Sequence, residues 1–384
     1  MGSFNNLKTR KRKFGKVDTL LNEKLQKVKW GEFKIEEVLQ WQSQKEIDPL
    51  KLEELKDETE NLYPFYGQAT INNGIISYNQ LTKRVINNKF GKPTILIHSN
   101  NQNIVYLETP FYLKDGHGAT SVLQCDELNS INQMFVIASI ERIIKTKYSY
   151  NTKATKIELK NTIIKLPIKN DKIDFAFMES FILELEAERM QILDTYLLST
   201  GLKDYTLTLE EENILNNYQS LKWKTYKLEE LFGKATRGRR LKSADRISGN
   251  LPFVTAGETD EGVSAFIGNN VNIFSENTTT IDMFGSAKYR NYKYGGDDHI
   301  AIVHTESLPK LASIFVTTAI HKSSYNGQFN YGRNFYAKDA DVLNITLPTK
   351  ENKPDYEIMK TIISAIHKLV IKEVVLFNNE KIKN

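Results

Sequence analysis

The chain repeats its own sequence once. Residues 166–178 and 347–359 both begin with Leu-Pro-x-Lys and carry an Asp and a Met at matching later positions. Residues 29–39 and 222–232 both begin with Lys-Trp and carry a Glu-Glu pair near the end. A duplication of this kind predicts two copies of one domain, and a binding partner that itself has two similar halves.

The length of 384 residues fits two domains of ordinary size. The repeat predicts where they divide. The predicted parts are a basic N-terminal segment at 1–28, a first β-rich domain at 29–173, a spacer helix with its linker at 174–221, a second β-rich domain at 222–354 and a C-terminal spacer helix at 355–384. The copies differ in length between their shared motifs, as surface loops do.

Composition excludes several classes of protein. Cys125 is the single cysteine, so neither a disulfide framework nor a cysteine zinc site can form, and a reducing cytoplasm is expected. No apolar run approaches the roughly 18 residues that a membrane span needs, so no membrane partner is predicted.

Positive charge is clustered, although the net charge is only +5. Residues 1–29 contain nine Lys or Arg against two acids, and residues 234–246 contain six against Asp245. Such clusters suit a polyanion such as DNA. A solvated tail or loop is the alternative for either cluster.

Residues 30–165 and 226–347 consist of short apolar runs rich in Tyr, Phe, Thr and Ile, which predict strands joined by turns. Apolar residues then recur every three or four positions from Asp174 and from Asp355, which predicts two long helices. Gly201 is a candidate C-terminal cap, and Thr208 with Glu211 matches a capping box. Narrow apolar stripes predict that the helices pair as a coiled coil, within an α+β fold.

The motifs of most catalytic sites are missing. The sequence has neither the phosphate-binding Gly-x-x-x-x-Gly-Lys-Ser/Thr nor the dinucleotide-binding Gly-x-Gly-x-x-Gly. The six histidines show no His-x-x-x-His spacing, so a metal site would have to be assembled from distant parts of the chain. No catalysis, cofactor or metal is therefore predicted in this chain.

From about residue 29 onwards the chain resembles the specificity subunits of type I restriction–modification systems and of the related type IIB enzymes. The Lys-Trp and Leu-Pro-x-Lys motifs carry the resemblance, together with Pro-Phe at 64–65 and 252–253 followed by Gly74 and Gly262. The run at 174–189 is particularly similar to the type IIB branch. Each motif alone is short, but their occurrence twice and in the same order is fairly specific for this family.

The resemblance implies that each β-rich part is a target-recognition domain that reads one half of a split sequence in double-stranded DNA. It implies that the helices form an antiparallel coiled coil between the domains. The implied partners are methyltransferase subunits and a nuclease subunit or a fused nuclease–methyltransferase, with AdoMet and Mg on those partners. The role of the basic N-terminal segment stays open.

Helix length agrees with this resemblance. A helix from Asp174 to Ser199 is roughly 39 Å long at about 1.5 Å per residue. One turn of DNA is roughly 34–36 Å.

The candidate DNA contacts are basic and amide side chains in predicted loops. They are Asn100, Asn101, Gln102, Asn103 and His117 in the first domain, and Arg237, Arg239, Arg240, Lys242, Lys288, Arg290, Lys293, Arg333 and Asn334 in the second. Arg290 and Arg333 are the strongest candidates for base reading. A plain hairpin turn is the alternative for 99–103, and a solvated or ion-paired side chain is the alternative for each arginine.

Two other functions stay open at this point. A self-contained restriction or modification enzyme would bind AdoMet or cleave DNA with a metal. A coiled-coil scaffold whose β domains bind protein would show no salt-dependent affinity for DNA.

Overall fold

The computed structural model describes residues 19–149 and 151–383. The chain divides into two compact units, Val17–Met190 and a unit that contains Gln191–Asn384. The predicted basic cluster at 8–16 lies outside the described residues. No helix among the described residues is long and apolar enough to cross a membrane.

The first unit is built from short strands with a few helices. Its strands are β1 (Lys29–Lys34), β2 (Gln40–Trp41), β3 (Glu46–Ile47), β4 (Tyr63–Tyr66), β5 (Ile75–Asn79), β6 (Thr94–His98), β7 (Ile104–Leu107), β8 (Tyr112–Lys114), β9 (Thr120–Gln124), β10 (Ile163–Lys169) and β11 (Lys172–Ile173). Its helices are α1 (Thr19–Lys27), α2 (Ile35–Val38), α3 (Asn132–Lys147), α4 (Lys156–Lys160) and the start of α5 (Phe175–Ser199). The sheet orders are β1-β10-β11, β2-β9-β6-β7 and β3-β8-β4-β5.

The second unit contains the end of α5 and repeats the same plan. Its strands are β12 (Trp223–Lys227), β13 (Thr236–Arg237), β14 (Ser248–Val254), β15 (Val263–Ile267), β16 (Ile273–Phe274), β17 (Thr278–Asp282), β18 (Ala287–Arg290), β19 (Tyr294–Gly296), β20 (Ile300–Val303), β21 (Asn344–Lys350) and β22 (Lys353–Pro354). Its further helices are α6 (Leu209–Asn216), α7 (Leu228–Phe232), α8 (Lys310–Ser324), α9 (Ala337–Asp341) and α10 (Tyr356–Lys383). The sheet orders are β12-β21-β22, β13-β20-β17-β18 and β15-β14-β19-β16.

The repeated motifs mark equivalent positions in the two units. Trp30 pairs with Pro167 across β1 and β10, and Trp223 pairs with Pro348 across β12 and β21. Each tryptophan ring stacks on a phenylalanine, with centroids 6.2 Å apart in the first unit and 6.3 Å apart in the second. The predicted duplication of the domain is therefore confirmed at the level of register and packing.

Gly74 and Gly262 end the same unusual turn. Each has a positive φ, +83° and +80°, and each follows two residues that also lie in the left-handed region. A Cβ on Gly262 would lie 2.6 Å from the carbonyl oxygen of Thr255. Glycine is the residue that adopts this positive φ without strain and has no Cβ to meet the nearby carbonyl oxygen, which explains its presence in both copies.

The two long helices begin where the sequence predicts. The Asp174 carboxylate accepts a hydrogen bond from the backbone N–H of Phe177 at 2.9 Å, and Asp355 accepts one from Ile358 at 3.0 Å. Gly201 follows the end of α5 with a φ of +70°, and Thr208 with Glu211 forms the predicted capping box of α6.

The segment between the β-rich parts runs antiparallel to α10 within the second unit. Asn378 donates to Asp194 at 3.1 Å, Lys368 donates to the carbonyl of Thr206 at 2.9 Å, and Ser364 donates to Glu211 at 2.6 Å. Residue numbers thus rise along this segment while those of their partners on α10 fall. Helices α6 and α8 both pack on α10. Pairing of α5 with α10 along their length stays a prediction.

Two sequence predictions about the fold are corrected. Helix α3 and helix α8 lie in stretches predicted as strands and turns, and both bury apolar residues against the sheets. In addition, α1 belongs to the first domain, since Leu21 is buried in its core and Lys24 forms an ion pair with Glu184. The described end of the N-terminal segment is therefore part of that domain.

Candidate nucleic-acid interface

In the first unit, three loops leave one end of the sheet β2-β9-β6-β7. His98, the last residue of β6, pairs with Thr120, the first of β9. The β6–β7 turn (99–103) and the β8–β9 loop (115–119) therefore start from the same end, and β2 leads into residues 42–46 in that direction. The predicted contacts at 100–103 and at 117 are brought together there.

Amide groups in the 99–103 turn are largely used to build the turn itself. Gln102 is only 7% exposed, and its side chain donates to the carbonyl of Ser99 at 3.0 Å. Asn101 donates to the carbonyl of Gln68 at 2.7 Å, and Asn103 donates to that of Ala69 at 3.4 Å. The burial of Gln102 corrects its assignment as a base contact, since its amide stabilises the hairpin.

Asn100 differs from the other amides of the turn. Its Nδ2 donates to Gln68, but its Oδ1 is buried without a hydrogen-bond partner among the described residues. It lines a cleft of about 450 Å³ with Ser99, Gly116, His117, Gly118, Ala119, Ser121, Lys153, Thr155 and Lys156. Basic side chains beside this cleft suit an anionic ligand.

Lys153 and Lys156 are cleft residues that sequence reasoning missed, because nothing in their own neighbourhood in the chain links them to the turn at 99–103. Lys156 donates to Gln44 at 3.1 Å, and Gln44 in turn bonds Glu46. The Glu46 carboxylate accepts the backbone N–H groups of Gly116 and Gly118, each at 3.1 Å. Glu46 thus fixes both the glycine-rich loop and, through Gln44, the lysine beside it.

His117 is exposed at the tip of that loop, with a φ of +53°. Its Nδ1 lies 3.2 Å from the Asp115 carboxylate. The backbone N–H of His117 also bonds Asp115 and lowers the pKa of that carboxyl. The exposed imidazole can approach a ligand at the cleft, and its contact with a phosphate stays a prediction.

His98 is a neutral, buried histidine beneath the turn. Burial lowers its pKa to about 4, and its Nδ1 lies 2.9 Å from the Thr120 hydroxyl. Below pH 6.5 the imidazole of His98 binds a proton in the unfolded chain, whereas in the folded chain it binds one only below about pH 4. Folding is therefore not opposed by this group above pH 6.5, and the free energy of unfolding falls as the pH drops from there. Thermal melting of wild-type protein should show about 2 kcal/mol lost by pH 5.

A matched pair of variants isolates the buried imidazole. His98→Gln should lose most of this pH dependence, whereas His117→Gln, which removes an exposed imidazole, should keep it. The same loss of stability in both variants between pH 7 and pH 5 would contradict the assignment to His98.

In the second unit, the equivalent end of the sheet β13-β20-β17-β18 collects the equivalent loops. Asp282 at the end of β17 pairs with Ile300 at the start of β20, and Arg237 at the end of β13 pairs with Ala301. Residues 238–246, 283–286 and 297–299 therefore leave the sheet on one side.

Four exposed cations lie on the first of these loops or just before it. They are Arg237, Arg239, Arg240 and Lys242. The loop is held by its backbone, since the N–H of Arg239 donates to the carbonyl of Gly296 at 2.9 Å and a Cβ on Gly238 would lie 2.0 Å from that carbonyl. None of the four has a carboxylate partner among the described residues. A fixed loop with unpaired cations suits phosphate binding.

Arg333 and Asn334 lie in a loop attached to the same end. The backbone N–H of Phe335 donates to the carbonyl of Met283 in the β17–β18 turn at 2.9 Å. Arg333 is exposed, with its guanidinium 5.3 Å from the centre of the Phe329 ring. Asn334 is half-buried, and its Oδ1 has no hydrogen-bond partner among the described residues. Arg333 thus lies at the same end of the sheet as the arginine loop, and its predicted contact with a base stays a prediction.

Arg290 does not reach this surface. It pairs with Thr278, at the opposite end of the sheet, and is 1% exposed. Its Nε donates to the Thr280 hydroxyl at 2.9 Å, and its Nη1 donates to the Tyr292 hydroxyl at 3.0 Å. The prediction that Arg290 reads a base is therefore wrong: the side chain fastens β18 to its neighbours.

The other two basic residues of this stretch differ. Lys288 is held by an ion pair with Glu258 at 3.1 Å, and its side chain is 15% exposed. Lys293 is exposed in the β18–β19 connection, at the end of the sheet away from the arginine loop. Lys293 does not join the surface formed by the arginine loop, and Lys288 is largely buried beside Ser286, so the basic and aromatic stretch 288–293 does not act as one loop.

Asp297, Asp298 and His299 place their ligand atoms within 4.8 Å of one another. These adjacent residues could meet a cation, whereas the histidine spacing predicts that any metal site draws on distant parts of the chain. Asp297 and His299 already have contacts within the protein, however. Asp297 accepts the backbone N–H of Leu241 at 3.2 Å, and His299 faces Asp298 at 3.3 Å. The group is best explained as a connection between the loops.

Comparison with known proteins agrees with this doubled, loop-bearing architecture. The family described as "Type I restriction modification DNA specificity domain" matches residues 27–194 and again residues 220–376. The chain belongs to this family and is a specificity subunit of the restriction–modification class.

Two individual proteins illustrate the similarity. The chain is 26% identical over 250 residues to the type II restriction enzyme specificity subunit S.BcgI of Heyndrickxia coagulans, which covers 64% of this chain and 69% of that protein. The crystal structure of a type I restriction–modification S subunit from M. genitalium superposes with a TM-score of 0.58 at 15% identity, over 96% of this chain and 94% of that one. The second similarity concerns the fold alone.

Proposed function

We propose that this specificity subunit reads a bipartite DNA target, with one half-site for each domain, and that it carries no catalytic activity of its own. The observation that supports this most is the duplicated sheet end. Each domain collects its loops at the equivalent end of the equivalent sheet. Two equivalent surfaces on one chain suit two separate stretches of DNA.

The two surfaces carry different chemistry on the same framework. The first offers the Asn100 amide, His117 and Lys156 around a cleft. The second offers Arg237, Arg239, Arg240 and Arg333 on two loops. Side chains of different size and hydrogen-bonding capacity fit different base edges. The half-sites are therefore expected to differ in sequence.

Helices α5 and α10 are proposed to set the distance between the half-sites. A helix of 25 residues such as α5 is roughly 38 Å long at about 1.5 Å per residue, close to one turn of DNA. We infer an antiparallel coiled coil, which the antiparallel order of residues 194–211 along α10 supports.

Catalysis is proposed to reside on partner chains in a cytoplasmic complex. Methyltransferase subunits with AdoMet, and a nuclease subunit or fused nuclease–methyltransferase with Mg, would dock on this chain. The lack of phosphate- and dinucleotide-binding motifs supports this division of labour.

Two preparations test the two parts of the proposal. The chain is expressed with its methyltransferase partner, and the methylated sites are sequenced. We expect two short defined half-sites separated by a gap of unspecified bases. The chain purified alone should bind this target but should neither methylate nor cut it when AdoMet and magnesium are supplied.

An uninterrupted target would contradict the bipartite model. Methylation or cleavage that survives purification, and that a point mutation in this chain abolishes, would show instead that the chain is an enzyme.

A further inference from the structure

The loop that carries Arg333 is preformed rather than loose. The Asn330 carboxamide accepts the backbone N–H groups of Gly332 at 2.9 Å and of Arg333 at 3.2 Å. The backbones of Asn330 and Arg333 also exchange two hydrogen bonds, each of 3.0 Å. Phe329 and Phe335 are both buried, with ring centroids 4.8 Å apart, and hold the two ends of the loop together.

Tyr331 protrudes from this rigid tip. Its side chain is 85% exposed, and its ring meets the Phe284 ring edge-on with centroids 5.1 Å apart. The hydroxyl has no hydrogen-bond partner among the described residues. Phe284 lies in the β17–β18 turn, so the tyrosine is held at the same sheet end as the arginine loop.

The chemistry of the tip favours a base over a phosphate. The tyrosine hydroxyl can donate only one hydrogen bond to a phosphate, whereas its large exposed ring gains most by packing on an apolar base edge. Because the loop is already ordered, little conformational entropy is lost when the ring is engaged. Arg333, two residues away, supplies the cation that brings such a ring to DNA.

From this geometry we propose that Tyr331 is a specificity-determining residue, whose ring contacts bases in a groove of the half-site bound by the second domain. The inference rests on the proposed bipartite function. It assigns the base contact to an uncharged side chain and leaves the neighbouring arginines to position the DNA.

The test measures dissociation constants on three probes: the full target, a probe with the second half-site scrambled, and a probe with the first half-site scrambled. Tyr331→Ala should weaken binding to the full target and to the first-scrambled probe by about tenfold or more. It should leave the second-scrambled probe unchanged. Tyr331→Phe keeps the ring and should bind within about threefold of wild type.

Tyr78→Ala is the matched control, since Tyr78 is an exposed tyrosine in the first domain, on β5. It should not alter recognition of the second half-site. Unchanged binding by Tyr331→Ala, or an equal loss on all three probes at an unchanged melting temperature, would overturn the assignment. Wild-type protein that does not distinguish the three probes would instead refute the bipartite function, and this inference with it.

Discussion

Replacing Arg237, Arg239 and Arg240 together with glutamine should weaken DNA binding on the order of 100-fold at about 0.15 M salt. The three guanidinium groups are exposed on a segment whose backbone is fixed against Gly296 and Asp297, and they have no carboxylate partner among the described residues. Since each phosphate contact contributes about 0.9 to the slope of log affinity against log salt, the slope should fall by roughly two to three. Titrations at several salt concentrations measure both quantities.

Phosphate contacts carry no sequence information, so the loss should be similar on the full target and on probes with either half-site scrambled. The matched control is Lys293→Gln with Lys350→Gln and Lys353→Gln, which removes the same charge from exposed positions of the same unit outside this loop. A loss confined to one sequence would assign these arginines to base reading. An unchanged salt slope would remove the loop from the interface.

The arrangement of strands and long helices could be predicted from the sequence, because motifs that occur in both halves mark positions that the two domains share. Trp30 and Trp223 stack on equivalent rings, and Asp174 and Asp355 begin equivalent helices. A residue kept in both copies serves the part of the structure that both copies share. The repeat says much less about the loops, which differ between the copies.

The fate of Arg290 shows why the candidate site was harder to predict. Along a strand, side chains alternate between the two faces, so the residues of the basic stretch 288–293 cannot all point the same way. Which end of the sheet a residue occupies depends on pairing with a strand distant in sequence. Arg290 pairs with Thr278 and is buried, whereas Arg237 pairs with Ala301 beside the exposed loops.

Helices α3 and α8 were missed for a related reason. Their apolar residues, such as Phe135, Val136 and Ile140, are also the types preferred in strands, and the flanking segments are strands. Tertiary packing of one apolar face on the sheets decides the conformation. The place of Lys156 beside the cleft could not be predicted, because Gln44, which positions its side chain, lies far away in the sequence.

Lengthening both long helices by seven residues should lengthen the gap between the half-sites and leave the half-sites themselves unchanged. Duplicating residues 184–190 in α5 and 376–382 in α10 adds nearly two helical turns to each, roughly 10 Å. That distance corresponds to at most about three base pairs of DNA at about 3.4 Å each. Each added base pair also rotates one half-site by about 34° about the DNA axis relative to the other, which disfavours the largest change. We therefore expect the gap to lengthen by about one to three base pairs.

Selection from a library of probes with variable gaps reads out the result directly. The control inserts seven residues into the exposed turn at Asn170 and Asp171, between β10 and β11, which lengthens the chain without lengthening a helix. That variant should keep the original gap, because its spacer is unchanged. If the doubly lengthened protein also keeps the original gap while binding with wild-type affinity, the helices do not set the spacing, and the separation of the half-sites must be fixed by the partner chains.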